Sequence, residues 1–253
     1  MRERANGQSL THQIVQDLGL AIVTGKYSAA DEFPVEADLC KQFGASRSVL
    51  REGVKMLTAK GLLDARPGRG TQIHPEENWN LLDPDVLRWL LDRKFSPALL
   101  TEFNQVRLAF EPKAAALAAT NATRTDMVAI RRALERMTLA VDSEDSLSAD
   151  IAFHVAVLRA SGNRFFAQLR ELIESTLRFS IRATNSYKGV PKASVADHKK
   201  VSDAILAGNS VAAENAMREL IQEALDLIKI GSGKAAFEAT GQRHASAGPP
   251  TKE

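Results

Sequence analysis

The sequence predicts a mainly α protein, with an N-terminal winged helix-turn-helix followed by a C-terminal all-α antiparallel helical bundle. Residues 34–71 indicate two short helices around a tight turn, and then a short hairpin with a glycine-and-arginine tip. From Ser96 to Ile230, apolar residues recur three and four positions apart with few β-branched runs, which is typical of amphipathic helices. A chain of 253 residues has room for two domains that each bury a core.

Apolar spacing and a cap define the two short helices. Leu39, Cys40 and Phe43 give the first helix an apolar face, and Gly44-Ala45 interrupt it. Ser46 is placed to cap the second helix, because its hydroxyl can accept a hydrogen bond from an unpaired N–H of the first turn. An apolar stripe then recurs at helical spacing, formed by Val49, Leu50, Gly53, Val54 and Leu57.

The second helix also carries a basic face. Arg47, Arg51 and Lys55 lie four positions apart with Ser48 beside them, and guanidinium groups bind phosphates and guanine edges well. The formal net charge of the whole chain is only +2, but residues 41–70 hold seven basic residues against two acidic ones. This local patch favours a nucleic-acid partner. Taken alone, the basic face is equally typical of an ordinary solvated surface helix.

Composition argues against two other classes of protein. No apolar run approaches the roughly 18 residues of a membrane span, and the N-terminus has no apolar segment of a secretion signal. Cys40 is the only cysteine, so the chain has no disulfide framework, and we expect it to pack in the core, with a redox sensor as the alternative. We therefore expect a cytoplasmic, nucleoid-associated protein.

The domain boundaries follow from composition and capping. We assign residues 8–76 to the winged helix-turn-helix, 77–98 to a connecting segment, and 99–230 to the bundle. The connecting segment should contain an ordered helix, because Asp83-Pro84 offers an N-cap followed by proline at the first helical position. Residues 231–253 are rich in Gly, Ala, Ser and Pro and are predicted to be disordered.

The bundle should contain about six or seven helices, and bundle cores often hold ligands. We expect Pro112 to kink or divide the first of these helices. Asp150 and His154 lie four apart and so project from one side of one helix, whereas His198 begins another helix. One carboxylate and two imidazoles suit zinc, nickel or manganese. The alternative is a plain intrahelical pair with His198 as a helix cap.

Three motifs in the first domain carry a family resemblance. PVEADLC, GASRSVLREG and KGLLDARPGRGT, in this order, resemble the winged helix of the GntR family of bacterial transcription regulators. The resemblance implies that four residues enter the major groove of operator DNA: Ser46, Arg47, Ser48 and Arg51. It also implies that the wing tip, Gly68 and Arg69, contacts the backbone or the minor groove. Many relatives carry an arginine where this chain has Ala37. Because one winged helix presents one recognition helix, we expect a homodimer.

Three segments of the second domain carry a further resemblance. VRLAFEPKAAALAA, ADIAFHVAVLRASGNRFF and DHKKVSDAILAGNSVAAENAMREL resemble the FCD domain, the ligand-binding domain of the FadR-type branch of that family. In its metal-binding members the ligands are an Asp and three His. The first three map onto Asp150, His154 and His198, whereas Leu220 occupies the fourth position and cannot coordinate a cation. The resemblance therefore implies a divalent metal, zinc first, held by three protein groups.

The resemblance also implies an effector site. Arg107 maps onto a pocket arginine suited to bidentate capture of a carboxylate, next to Asp150, His154 and His198. The alternative for Arg107 is a surface salt bridge with Glu102 or Glu111. NWNLLDPDVLRWLLD and the missing third histidine resemble members that repress galactonate catabolism, which implies a sugar-acid effector that releases a repressor. The alternatives are another hydroxy acid such as lactate, an acyl effector, or, in another class, a metal-dependent enzyme, for which no general base or nucleophile motif is present.

Overall fold

The computed structural model describes residues 9–28, 33–66, 70–93, 96–188 and 194–245. The chain divides into two compact units, the first reaching residue 95 and the second beginning at Ser96. Within the described ranges there are eleven α-helices and one two-stranded sheet, so the predicted mainly α fold class is confirmed. Among these helices none combines the length and the apolar composition that a membrane span requires.

The first unit is a helix-turn-helix with an additional helix before it, a hairpin after it and a last helix that closes the unit. Its elements are α1 (Leu10–Val23), α2 (Glu36–Phe43), α3 (Arg47–Ala59), β1 (Leu63–Arg66), β2 (Gly70–Ile73) and α4 (Pro84–Arg93). The two strands are antiparallel, and Leu63 pairs with Ile73. The core of the first unit is aliphatic and includes Ile14, Leu18, Leu39, Leu50, Leu57 and Leu62.

The predicted turn and cap between α2 and α3 are present. Gly44 ends α2 with a φ of 60°, in the left-handed region that favours glycine. The Ser46 hydroxyl accepts a hydrogen bond from the Val49 N–H at 3.4 Å. Cys40 is half-buried, on the helix that this turn terminates. Local sequence signals therefore fix the angle at which α3 leaves α2.

Helix α4 packs on α1, so part of the predicted connecting segment belongs to the first unit. As expected, Asp83 caps α4, because its Oδ1 accepts hydrogen bonds from the backbone N–H groups of Asp85 and Val86 at 3.0 and 3.3 Å. The Trp89 indole lies over Gly19 of α1, and its Nε1–H donates to Gln16 Oε1 at 3.0 Å. A Cβ on residue 19 would lie 2.3 Å from the indole ring.

A half-buried lysine joins the end of α3 to the start of α4. The Lys60 ammonium donates to Asp83 Oδ2 at 2.8 Å and lies 2.9 Å from Asp85 Oδ2, with its side chain only 13% exposed. Burial lowers the pKa of Lys60, but hydrogen bonds to the two carboxylates outweigh it, so the pKa is raised. Next to it Gly61 has a φ of 77°, and a Cβ there would lie 2.6 Å from the Asn78 carbonyl oxygen. Any other residue at position 61 would clash with this carbonyl oxygen.

The second unit is a helical bundle with seven helices in its described residues, in agreement with the predicted six or seven. These are α5 (Pro97–Asn121), α6 (Arg124–Leu139), α7 (Ser143–Ala160), α8 (Arg164–Gln168), α9 (Arg170–Lys188), α10 (Val195–Leu206) and α11 (Ser210–Ala245). The core between them is built from small and aliphatic side chains with Phe153 at its centre.

Two backbone features differ from the sequence expectations. Helix α5 continues through Pro112, so of the two expected effects, a kink or a division, the division does not occur. One lost backbone hydrogen bond is offset there because Pro112 and the alanines that follow it are buried against neighbouring helices. Helix α11 continues past Ile230 to Ala245 and thus covers part of the segment 231–253 in which composition predicts disorder, since Lys, Ala and Glu in this part favour a helix. Residues 246–253 lie outside the described residues.

The contact between Gly19 and Trp89 gives a stability prediction. Gly19→Ala should destabilise the first unit by roughly 1–3 kcal/mol, because the added methyl group overlaps the indole ring. In a Trp89→Leu background the same change should become neutral or stabilising, because alanine is favoured over glycine inside a helix by roughly 1 kcal/mol. Urea unfolding followed by tryptophan fluorescence measures both, since Trp79 and Trp89 are the only tryptophans. If Gly19→Ala lowers the free energy of unfolding equally in the wild-type and Trp89→Leu backgrounds, a clash with Trp89 is not the cause.

Candidate functional site

A cluster of titratable side chains lies in the interior of the second unit. Arg107 and Glu111 come from α5, Asp150 and His154 from α7, and His198 from α10, and none is more than 3% exposed. Charged groups are costly to bury unless they are paired and hydrogen-bonded. Three helices thus contribute to one polar centre within an otherwise apolar bundle.

Glu111 is the residue that joins this cluster. The Arg107 Nε–H donates to Glu111 Oε1 at 2.5 Å, and the His154 Nδ1–H donates to Glu111 Oε2 at 2.5 Å. Burial raises the pKa of Glu111, but the charges of Arg107 and His154 outweigh it and lower that pKa to about 2. Arg107 also donates from Nη1 to Asn104 Oδ1 at 3.1 Å. The Glu111 carboxylate is therefore ionised and fixes both the arginine and the histidine.

Hydrogen bonds determine which nitrogen of each histidine carries the proton. His198 Nδ1 lies 2.7 Å from the Ser194 carbonyl oxygen, which can only accept, so Nδ1 is the donor. His154 Nδ1 likewise donates to Glu111. In both neutral rings the lone pair is then on Nε2, and both Nε2 atoms face Asp150 Oδ1, at 3.3 Å from His154 and 3.2 Å from His198.

Three acceptor atoms face one another here, and the Arg107 Nη2 lies 3.4 Å from one of them, His154 Nε2. The candidate ligand atoms of Asp150, His154 and His198 all lie within 4.8 Å of one another. A second proton on a histidine or a shared cation would satisfy the contacts of both Nε2 atoms with Asp150 Oδ1. Burial lowers the pKa of His154, but the Glu111 charge outweighs it and the pKa is raised. Burial would raise the pKa of Asp150, yet the two histidines hold it far below its usual range. This donor set, with each Nδ1 bound to an outer acceptor, fits a divalent cation.

The cluster opens on a small cavity of about 60 Å³. Polar side chains of Thr184, Asn185 and Ser194 line it together with Leu220. Its volume corresponds to roughly two water molecules. A larger open cleft of about 710 Å³ lies between α6 and α7, but its walls hold none of the five buried titratable groups. The smaller cavity is therefore the candidate ligand site.

The residues predicted for the ligand site come together, with one addition. Arg107, Asp150, His154 and His198 border the same cavity, and it is also lined by Leu220, which occupies the position of the third histidine of the metal-binding members. Glu111 was considered only as a surface partner of Arg107, whereas the pair is buried. The four-residue spacing of Arg107 and Glu111 on one helix was the available signal, because it places the two side chains side by side.

The second candidate site is the exposed start of α3. The four residues predicted to enter the DNA major groove are exposed here: Ser46, Arg47, Ser48 and Arg51. The Arg51 Nε–H donates to Glu36 Oε2 at 2.9 Å, and Arg47 Nε lies 3.7 Å from Glu36 Oε1. Hydrogen bonding to Glu36 raises the pKa of Arg51. The sequence interpretation missed Glu36. Gly68 and Arg69, predicted at the wing tip, lie outside the described residues.

Comparisons with known proteins match both units. Residues 10–73 match the family model described as bacterial regulatory proteins, gntR family, and residues 102–223 match that of the FCD domain. The galactonate operon transcriptional repressor of Escherichia coli (strain K12) is 35% identical over 222 residues, which cover 87% of this chain and 96% of that protein. The putative L-lactate dehydrogenase operon regulatory protein of the same strain is 29% identical over 216 residues, 82% of each chain.

A solved structure also resembles this chain. It is that of Lar, which controls the expression of the Listeria monocytogenes agr system, and it has a TM-score of 0.58. Sequence identity is 17%, and the match covers 88% of this chain and 98% of that chain. At this identity the similarity shows the fold alone.

Proposed function

Because the chain belongs to the GntR family of bacterial transcription regulators and carries an FCD domain, we propose that it represses a sugar-acid catabolic operon until an effector releases it. Its relatives are transcription regulators, so a metal-dependent enzyme is discarded. One observation carries the proposal: Arg107 and the trio of Asp150, His154 and His198 border one small cavity. We place its action in the cytoplasm, where operator DNA lies.

The start of α3 is proposed to read the operator. Arg47 and Arg51 have side chains 76% and 67% exposed, so both can reach a groove without moving the fold. Ser46 and Ser48 lie beside them with their hydroxyls 3.0 Å apart. One chain presents one such helix, and specific operators are usually read by two, so we propose a homodimer. Exposed apolar side chains in the second unit, such as Leu139 and Phe165, support an association through that unit.

Charge balance supports a bound cation at the trio. A second proton on His154, whose pKa is raised, would balance the cluster, but with neutral histidines it holds one positive charge, on Arg107, against the two carboxylates of Glu111 and Asp150. Such a pocket would repel an anionic effector. A divalent ion held by Asp150, His154 and His198 reverses the sign and attracts carboxylate and hydroxyl oxygens. Zinc suits two imidazoles and a carboxylate best, and nickel and manganese also suit them.

The walls of the cavity favour a hydroxylated acid. Arg107 uses Nε and Nη1 for Glu111 and Asn104, whereas its Nη2 lies 3.5 Å from Glu111 Oε2 and 3.4 Å from His154 Nε2, contacts long enough for an effector carboxylate to replace them. Thr184, Asn185 and Ser194 offer hydrogen bonds to hydroxyl groups, which a fatty acyl chain would leave unpaired. The relative that represses the galactonate operon supports a galactonate-like aldonate. The similarity to the putative L-lactate dehydrogenase operon regulatory protein supports the alternative effector, a smaller hydroxy acid.

The size of the cavity suggests how the effector acts. A C6 sugar acid is larger than the present cavity of about 60 Å³, so its complex requires a wider arrangement of the helices around the trio. An effector shifts the protein toward the state that it binds better. If the wider state binds operator less well, the sugar acid releases the repressor, and by linkage operator DNA weakens sugar-acid binding by the same factor.

The recognition helix is tested with single substitutions. Arg47→Ala and Arg51→Ala should each weaken operator binding by roughly 1–3 kcal/mol if the arginine reads a base. Mobility shifts with the promoter region of the neighbouring operon measure the loss. Arg132→Ala, which removes the same charge from the second unit, is the matched control and should bind as wild type does. Two arginine variants that bind as tightly as the control would reject this assignment.

The metal is tested by elemental analysis of protein purified without chelator. We expect up to one divalent ion per chain in the wild type and none in His154→Ala. Glu111→Gln should bind the ion roughly 10–100-fold more weakly, because it loses the charged acceptor that fixes His154. His74→Ala removes a histidine from the first unit and should keep the ion. Wild-type protein without metal would leave the trio as a polar anchor for the effector.

The effector is tested by calorimetry with aldonates, uronates, lactate and acyl thioesters. We expect galactonate to bind and to lower operator affinity. Arg107→Lys keeps the charge but loses the planar fork, so it should weaken galactonate binding, provided that circular dichroism shows an intact bundle. Binding of acyl compounds alone, or galactonate binding unchanged in Arg107→Lys, would overturn the effector assignment while the regulator assignment would stand.

A further inference from the structure

A single carboxylate lies between the two exposed arginines at the start of α3. We propose that Glu36 is a positioning residue, which holds Arg47 and Arg51 in the arrangement that reads bases and so sets operator specificity. The inference rests on the proposed role of these arginines in DNA binding. It adds a residue on α2 that acts through them.

The contacts use the inner edge of each guanidinium. Glu36 Oε2 accepts from Arg51 Nε at 2.9 Å, and Glu36 Oε1 lies 3.7 Å from Arg47 Nε. Among the described residues, no hydrogen bond joins Glu36 to a terminal nitrogen of either arginine. Nη1 and Nη2 form the outer fork that pairs with O6 and N7 of guanine. Glu36 thus holds Arg51 from behind through a hydrogen bond, attracts Arg47 through the longer ion pair, and leaves the outer fork of each arginine available.

Glu36 is itself well fixed, so it can orient longer side chains. It lies in the first turn of α2 with its side chain 35% exposed, about half the exposure of either arginine. Helix α2 is held on α3 through buried Leu39 and Leu50. An exposed arginine loses rotamer freedom when it binds a base, and prior orientation reduces that loss.

Glu36 has two opposite effects on DNA affinity, one from its charge and one from its positioning of the arginines. A carboxylate beside the basic face repels phosphates, so it weakens binding to any DNA sequence. The orientation of the two guanidinium groups strengthens binding only to DNA that carries the bases they read. Removing Glu36 should therefore strengthen or preserve binding to random DNA while it weakens binding to the operator. A residue that only supports the fold would weaken both together.

The test compares two duplexes of equal length. One is selected by the wild-type full chain from a random pool, and the other has the same composition in shuffled order. In Glu36→Gln, the ratio of selected to shuffled affinity should fall roughly threefold to tenfold, which is the scale of one immobilised side chain. Glu36→Asp keeps the charge but shortens the reach. It should lower the ratio and leave shuffled binding unchanged.

Glu52→Gln is the matched control, because it removes the same charge from α3. The Glu52 side chain is 60% exposed and lies 3.8 Å from the Lys55 ammonium. This variant should shift both affinities together and keep their ratio. If Glu36→Gln also keeps the ratio, or loses both affinities equally, the positioning role is rejected. In an Arg51→Ala background, the effect of Glu36→Gln on the ratio should shrink. If Arg47→Ala and Arg51→Ala change nothing, the recognition-helix assignment itself has failed.

Discussion

The buried pair of Arg107 and Glu111 is the interaction on which the polar centre of the bundle depends. Arg107 carries a permanent charge into an apolar interior, and only a permanently ionised partner can balance it. The second oxygen of Glu111 fixes the proton on His154 Nδ1. That choice turns Nε2 toward Asp150 and His198. The capacity of the cavity to attract a cation or an anion thus follows from one carboxylate on α5.

Two glutamates perform the same task in different surroundings. Glu111 holds Arg107 inside the bundle, and Glu36 holds Arg51 at the surface. Breaking a buried pair typically costs about 3–5 kcal/mol, whereas an exposed pair contributes about 0–1 kcal/mol. Glu111 therefore matters to folding as well as to the site. Glu36 can affect recognition with little effect on stability, because its contribution is orientation.

Local signals predicted the first unit well, and contacts between helices explain what the sequence did not reveal. Gly44, Ser46 and Asp83 act on their own neighbours in the chain, and each has the predicted turn or cap. The arginines bound by Glu36 lie on another helix, and so does His154, the second partner of Glu111, so spacing along the chain does not identify these contacts. The grouping of Asp150, His154 and His198 came from spacing joined to family resemblance. Helix α5 continues through Pro112 because packing against neighbouring helices outweighs the low helix propensity of proline. Such packing cannot be predicted from the sequence of one segment.

The corner at Lys60 and Gly61 gives the first unit a mechanical property. Lys60 ends α3 and is bonded to Asp83 and Asp85 at the start of α4, while its carbonyl accepts from the Asn80 N–H at 3.0 Å. These bonds restrict the movement of α3 relative to α4, although 24 residues separate the end of α3 from the start of α4. The two helices should therefore turn as one rigid lever. A small rotation applied to the end of α4 would therefore also rotate α3, including the end of α3 that we propose reads the operator.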